Sequence, residues 1–251
     1  MSRTILAEWI KLRSLRSTWY TLAFLFVVSL GITMMSSSVA QEAYADAGDL
    51  WDPTAYSLTT YKVGQLILGV LAILVVTSEF ATGLMRTTLA ATPRRHRVLA
   101  AKVVIAATVA VVAGQVLMFA AFLIGQVMLA GQGVPNAGLG DPGVLSAVAA
   151  AGLYLTLVAL LAVALGTIMR ATAGALATLV GIVFLVPGLA PLFPSSMSGL
   201  FDFWPTLGAA AAIATVPDPD FPHPWWNMAG MSVGVAAVLV TAFVLLRRRD
   251  V

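Results

Sequence analysis

Ser-Glu-Phe-Ala-Thr-Gly-Leu-Met-Arg-Thr-Thr-Leu-Ala-Ala-Thr-Pro-Arg-Arg-His-Arg-Val-Leu-Ala-Ala-Lys, residues 78–102, lies between two long apolar runs. It holds the cations Arg86, Arg94, Arg95, Arg97 and Lys102, and Glu79 is its only acid. A basic segment between two membrane-length runs is expected to face the cytoplasm, which sets the direction of every other span.

The composition supports a membrane setting. Of 251 residues, 60% are hydrophobic and only 10% charged, against roughly 25% charged in a soluble domain. Mean hydropathy is +0.95. So little polar surface predicts an all-α, multi-pass membrane protein. Cysteine is absent, which excludes disulfides, thiolate metal sites and a Cys nucleophile. His96 and His223 are too few and too far apart to suggest a metal cluster.

Working outward, residues 1–16 read as an amphipathic helix. Ile5, Leu6, Trp9, Ile10 and Leu12 share one broad face, with Thr4, Glu8, Lys11 and Ser14 opposite. Such a basic helix is expected to lie in the membrane interface. Residues 17–251 then form the transmembrane domain, with spans at about 19–35, 56–77, 98–129, 144–169, 174–193 and 225–246. Ser38-Val39-Ala40 resembles a signal-peptide cleavage site, but the apolar run before it is longer than a signal core.

Residues 36–57 read as an acidic outer loop and 131–143 as a Gly/Pro turn. Pro187-Gly188 is expected to kink or break the fifth span. The Pro- and aromatic-rich segment 194–224 contains a run, 206–216, that is too short to cross. It is expected to be either a re-entrant or a surface helix. Lys62, near the outer end of the second span, is expected to snorkel outward or to line a vestibule.

With both termini inside, the cytoplasmic cations are Arg3, Lys11, Arg13, Arg16, Arg86, Arg94, Arg95, Arg97, Lys102, Arg170, Arg247, Arg248 and Arg249. Lys62 alone of the 14 lies outside. This is the bias that the positive-inside rule demands. The acids gather on the opposite side and make the outer face electronegative.

Several chemistries are missing. Lys11, Lys62 and Lys102 follow Ile10, Tyr61 and Ala101, so none has the Gly that a P-loop places before its Lys. No H-E-x-x-H or G-x-S-x-G occurs, no acid falls in mid-span, and no inverted pair of broken helices is visible. A membrane body with no energy source of its own suggests a motor on another polypeptide.

Glu79, Gly83, Arg86-Thr87-Thr88, Pro93, Arg97 and Lys102 together resemble the first cytoplasmic loop of ABC-2-type transporter permeases. Ala7 to Ser14, Ala-Glu-Trp-Ile-Lys-Leu-Arg-Ser, is similar to the start of the small actinobacterial members, and the six-span layout agrees. The resemblance implies a permease subunit in the bacterial plasma membrane, paired with a second copy or a paralogue. It further implies two separate ATPase subunits that bind the ATP and magnesium, leaving this chain without a cofactor. The path would run along a dimer interface of the first, second and fifth spans, in the sense of export.

On that resemblance the ATPase contact is expected at Glu79, Phe80, Gly83, Leu84, Arg86, Thr87 and Pro93 in the loop 78–97. Physically, Glu79 would need a basic partner, either Arg86 or a basic residue of the ATPase, and at the N-terminus of a short helix it would meet the positive end of the dipole. Gly83 permits a bend, and Pro93 ends the segment. Arg94, Arg95, Arg97, Lys102, Arg247, Arg248 and Arg249 are expected to anchor lipid headgroups and topology. The rival reading is a non-transporting scaffold or sensor whose basic loop recruits lipid or a cytoplasmic partner. A membrane enzyme is disfavoured, since no nucleophile–base or metal constellation is visible, and nothing points to nucleic acid.

Overall fold

The computed structural model describes residues 2–91, 94–194, 198–201 and 203–248. Within them all regular structure is helical. The N-terminal half comprises α1 (Ser2–Ser14), α2 (Arg16–Ser38), α3 (Ala40–Ala47), α4 (Pro53–Leu58), α5 (Tyr61–Ala81) and α6 (Leu84–Ala91). It is followed by α7 (Arg95–Gly131), α8 (Val144–Met169), α9 (Thr172–Val180), α10 (Val186–Leu189), α11 (Ser198–Phe201) and α12 (Pro224–Arg248). Six stretches are long and apolar enough to cross a membrane: Arg16–Ser38, Pro53–Ala81, Arg95–Gly131, Val144–Met169, Thr172–Leu192 and Pro224–Arg248.

The bundle is built around α8. Its Ala, Gly, Leu and Val residues are buried almost all round, as expected of a helix that is apolar on every side. It packs on α5, α7, α9 and α12. Small residues set the α7–α8 approach, because a Cβ on Gly114 would lie 3.3 Å from the Gly152 carbonyl oxygen. Across the same seam the Gln115 amide donates to the Ala149 carbonyl at 3.0 Å. Between α5 and α8, Tyr154 donates its hydroxyl to Gln65 Oε1 at 2.6 Å and meets Tyr61 edge to face. At ~1.5 Å per residue the 37 residues of α7 reach about 55 Å, well beyond the ~30 Å hydrocarbon core.

Three regions differ from the sequence reading. The stretch 36–57 is mostly helical, since α2 runs on to Ser38 and α3 follows it. Asp52 caps α4 by accepting from Ala55 N, with Pro53 opening the helix. The same carboxylate accepts from Thr215 N, Thr215 Oγ1 and Val216 N, so it ties the outer segment to the second span. The second span therefore starts at Pro53 rather than at 56.

The fifth span is not broken at Pro187. A π turn, Gly181–Leu185, precedes α10, and the backbone stays helical through Val186. Proline supplies no N–H to the carbonyls one turn back. Two side chains replace it: Trp204 Nε1 donates to the Ile182 oxygen at 2.7 Å and Thr206 Oγ1 to the Val183 oxygen at 2.9 Å. Those donors belong to the 203–213 stretch. Its Pro205, Gly208, Ala209, Ala212 and Ile213 are buried against α8 and α12. The short segment is thus inserted into the bundle and is not laid upon it.

Candidate functional site at the basic end of the bundle

The apolar side of the amphipathic helix α1 faces away from the bundle. Leu6 (57% exposed), Trp9 and Ile10 face outward, while Glu8 and Leu12 are buried. The side with Glu8 and Lys11 bears on the bundle, where α1 packs against α7 and α2. An interfacial helix can do this because its outward side meets lipid, which leaves its polar side for the protein.

Glu8 and Lys11 complete a ring of four charges. Lys11 Nζ lies 3.0 Å from Glu8 Oε1 and 3.0 Å from Glu79 Oε1. Lys102 Nζ lies 2.8 Å from Glu8 Oε2 and 2.8 Å from Glu79 Oε1. Lys102 is 1% exposed, and its third N–H goes to the Val75 carbonyl at 3.2 Å. The ring joins α1, the end of α5 and the start of α7. Two acids and two lysines leave it neutral, the condition under which buried charges are tolerated. Desolvation lowers the Lys11 pKa, but hydrogen bonds and charge attraction from Glu79 and Glu8 outweigh it, and the net shift is upward.

Several expectations change here. Glu79 sits in the last turn of α5, where the dipole opposes a carboxylate, and not at a helix N-terminus. Its partners are Lys11 and Lys102; Arg86 is exposed. Lys102 is buried in the ring, which removes its ammonium from the headgroup-facing set. Arg95 is half-buried and donates to the Leu246 carbonyl at the end of α12, at 3.3 Å. Arg94, Arg247 and Arg248 are exposed and Arg97 is half-buried. Lys62 is exposed in the first turn of α5. Pro93 and Arg249 lie outside the described residues.

Beyond the ring the chain bends at Gly83, whose φ is +71°, a left-handed value suited to glycine. The bend opens α6. Met85 and Leu89 are buried on its inner side with Val98 and Phe80, and Leu84, Arg86 and Thr87 are exposed on the other. Phe80 also meets the guanidinium of Arg170, 5.3 Å from its ring centroid. Arg170 occupies the tight turn between α8 and α9 with φ +55°. Nearby, Thr172 Oγ1 donates to Thr77 Oγ1 at 2.8 Å. The turn between the fourth and fifth spans is therefore fastened to the end of the second.

Glu8, Lys11 and Arg170 are the site residues that sequence reading missed. The signal that could have found Glu8 is its position as an acid among apolar and basic residues, one helical turn from Lys11.

Six membrane-length stretches with the small-residue helix α8 buried among them, and an amphipathic helix tied by charge to the end of α5 and the start of α7, define a polytopic membrane protein. The family described as ABC-2 family transporter protein matches residues 4–188, and the chain belongs to that family. The matched region contains the ring, the hinge and the first five spans almost entire. No curated protein matches the chain.

Proposed function

We propose that the chain is the permease half of an ATP-driven exporter, worked by a separate ATPase subunit that docks on α6. Membership of the ABC-2 family makes it a membrane component of an ABC transporter. The observation that carries the finer reading is α6 itself. It is a short amphipathic helix hinged at Gly83, with Leu84, Arg86 and Thr87 free for a partner. Its root is fixed through Glu79 to both α1 and α7. A push on α6 would reach three other elements at once.

ATP and magnesium would be held by that ATPase, and a second copy or paralogue would complete the path. In this chain α5 packs between α2 and α9. The first and fifth spans are also among the least buried of the six, which leaves that face available to the second permease. The distribution of cations argues that α6 faces the cytoplasm.

The test is co-expression with a candidate P-loop ATPase subunit, using Arg86→Cys and Thr87→Cys for crosslinking in a background that has no cysteine. Crosslinks to the ATPase, and ATP-dependent export from cells that lose it with an inactive ATPase, are expected. An assembly that forms no such complex would sink the proposal, and a phenotype indifferent to ATPase inactivation would favour a scaffold instead.

A further inference from the structure

A cavity of about 410 Å³ opens between α1, α2, α5 and α7 beside the charged ring. That volume is within the roughly 300–1,000 Å³ of small-molecule sites. Leu15, Leu71, Leu74 and Ile105 make its walls mainly apolar. The wall hydroxyls of Thr21, Ser78 and Thr82 donate to carbonyls of their own helices, at Ser17, Leu74 and Ser78. A narrower apolar cleft shares Leu12, Leu71 and Val75 with the cavity and reaches Leu68 and Ala159. Along α5 the lining therefore runs from Glu79 to Leu68, about 16 Å at ~1.5 Å per residue. That is roughly half of a ~30 Å hydrocarbon core, the depth of one leaflet.

All four charges of the ring line the cavity, but they are not equally open to it. Glu8 and Glu79 are each 6% exposed and Lys102 is 1% exposed, whereas the Lys11 side chain is 37% exposed. Lys102 also spends its three N–H groups on Glu8, Glu79 and the Val75 carbonyl. Lys11 serves two acceptors, which leaves one N–H for an anion. The charge within reach of a ligand is thus positive. Arg13 and Arg16, exposed beside the lining residues Ser14, Leu15 and Ser17, have the same sign.

Trp9, Trp19 and Tyr20 are exposed on α1 and α2 at this end, and such side chains favour the membrane–water boundary. The lysine therefore lies at headgroup level, with the apolar cleft running on from it. A free phosphate would leave the leucine walls uncovered, and a plain hydrocarbon would leave Lys11 without its anion.

We infer that the cavity holds one phospholipid of the adjoining leaflet, with its phosphate at Lys11 and one acyl chain along α5 toward Leu68. The fit uses the phosphate and the chain, and nothing further of the headgroup. Thr82 and Leu84, on either side of Gly83, also line the cavity, so the lipid lies against the root of α6. This site belongs to the chain alone and stands whether or not an ATPase docks on α6.

The test is native mass spectrometry of the full chain released from phosphatidylglycerol nanodiscs that contain a minor share of diacylglycerol with the same acyl chains. One phosphatidylglycerol per chain is expected to remain bound, at least tenfold over diacylglycerol once each is normalised to its share. Thr21→Trp fills the cavity without touching the ring and should cut that retention at least tenfold. Lys11→Gln should bring phosphatidylglycerol down toward the diacylglycerol level. Val233→Trp, on the exposed side of α12, should leave retention intact. A chain that keeps no lipid, equal retention of the two lipids, or unchanged retention in Thr21→Trp would overturn the inference. Should Lys11→Gln fail to assemble, Thr21→Trp and the diacylglycerol comparison decide between them.

Discussion

Glu8 and Lys102, 94 residues apart in the chain, meet at 2.8 Å in a site where each is almost fully buried. The contact makes α1 part of the bundle and not a loose basic flank. Because Lys102 also binds Glu79, one set of charges joins α1, α5 and α7 just before the chain bends at Gly83.

Replacing Lys102 by Met should be among the most damaging single changes in the chain. It leaves Glu8 and Glu79 sharing Lys11 alone, and breaking a buried ion pair costs about 3–5 kcal/mol. Arg86→Ala, on an exposed side chain, should stay within about 0.5 kcal/mol of the parent. Denaturant unfolding of the purified protein in detergent compares the two. Equal stabilities would show that the ring is not holding the elements together.

Docking of α1 should depend on Glu8 and fail at high pH. Glu8→Gln removes one acid of the ring, so α1 is expected to swing out and expose Leu12, which is 8% exposed when docked. The chain has no cysteine, so Leu12→Cys gives a single labelling site. Its maleimide reaction should rise several-fold in the Glu8→Gln background. The Lys11 pKa is raised, so its share of the docking energy is complete below the unfolded lysine pKa of about 10.4. That share is lost only as pH climbs through the higher folded value. Labelling with a probe insensitive to pH should be flat from pH 7 to 9 and climb above about 10.4.

Gly83 should tolerate Asn better than Ala. Its φ of +71° is costly for a residue with a Cβ, by about 1–2 kcal/mol, and Asn visits that region more readily. A Cβ there would meet no atom within 4 Å, so crowding does not contribute. Thermal unfolding should rank Gly above Asn above Ala. If α6 is the ATPase contact, export should fall in the same order. An alanine variant as stable as the parent would mean that the hinge does not need its left-handed turn.

The spans were legible because hydrophobic length is a one-dimensional property. Val144–Met169 is read from sequence to the residue, and Gly83 announced its bend by identity. The ring was not legible, because it depends on which side of α1 faces inward. Period alone sorts Glu8 and Lys11 away from Leu6 and Trp9, yet it cannot say whether lipid or protein lies beyond each side. Burial of a pair that far apart in sequence is likewise invisible to any local window. Lys102 read as one more loop cation for that reason. The continuity of the fifth span through Pro187 was hidden too, since the donors that stand in for the missing N–H come from a later segment.

Those donors lead to a double-mutant test. In an α-helix the N–H of residue 187 would bond the carbonyl of Val183; Pro187 cannot donate, and Thr206 Oγ1 takes that role at 2.9 Å. Thr206→Val keeps the shape and removes the donor, which should cost about 1–3 kcal/mol. Pro187→Ala returns an N–H to the ladder and should make the hydroxyl redundant. The pair of changes together should therefore cost less than the sum of the two singly, by at least about 0.5 kcal/mol. Strict additivity would mean that Thr206 stabilises the span through something other than the carbonyl of Val183. A deficit appearing only with Pro187 present ties the outer segment to the proline in the fifth span, and explains why a chain can carry Pro187-Gly188 there without breaking the helix.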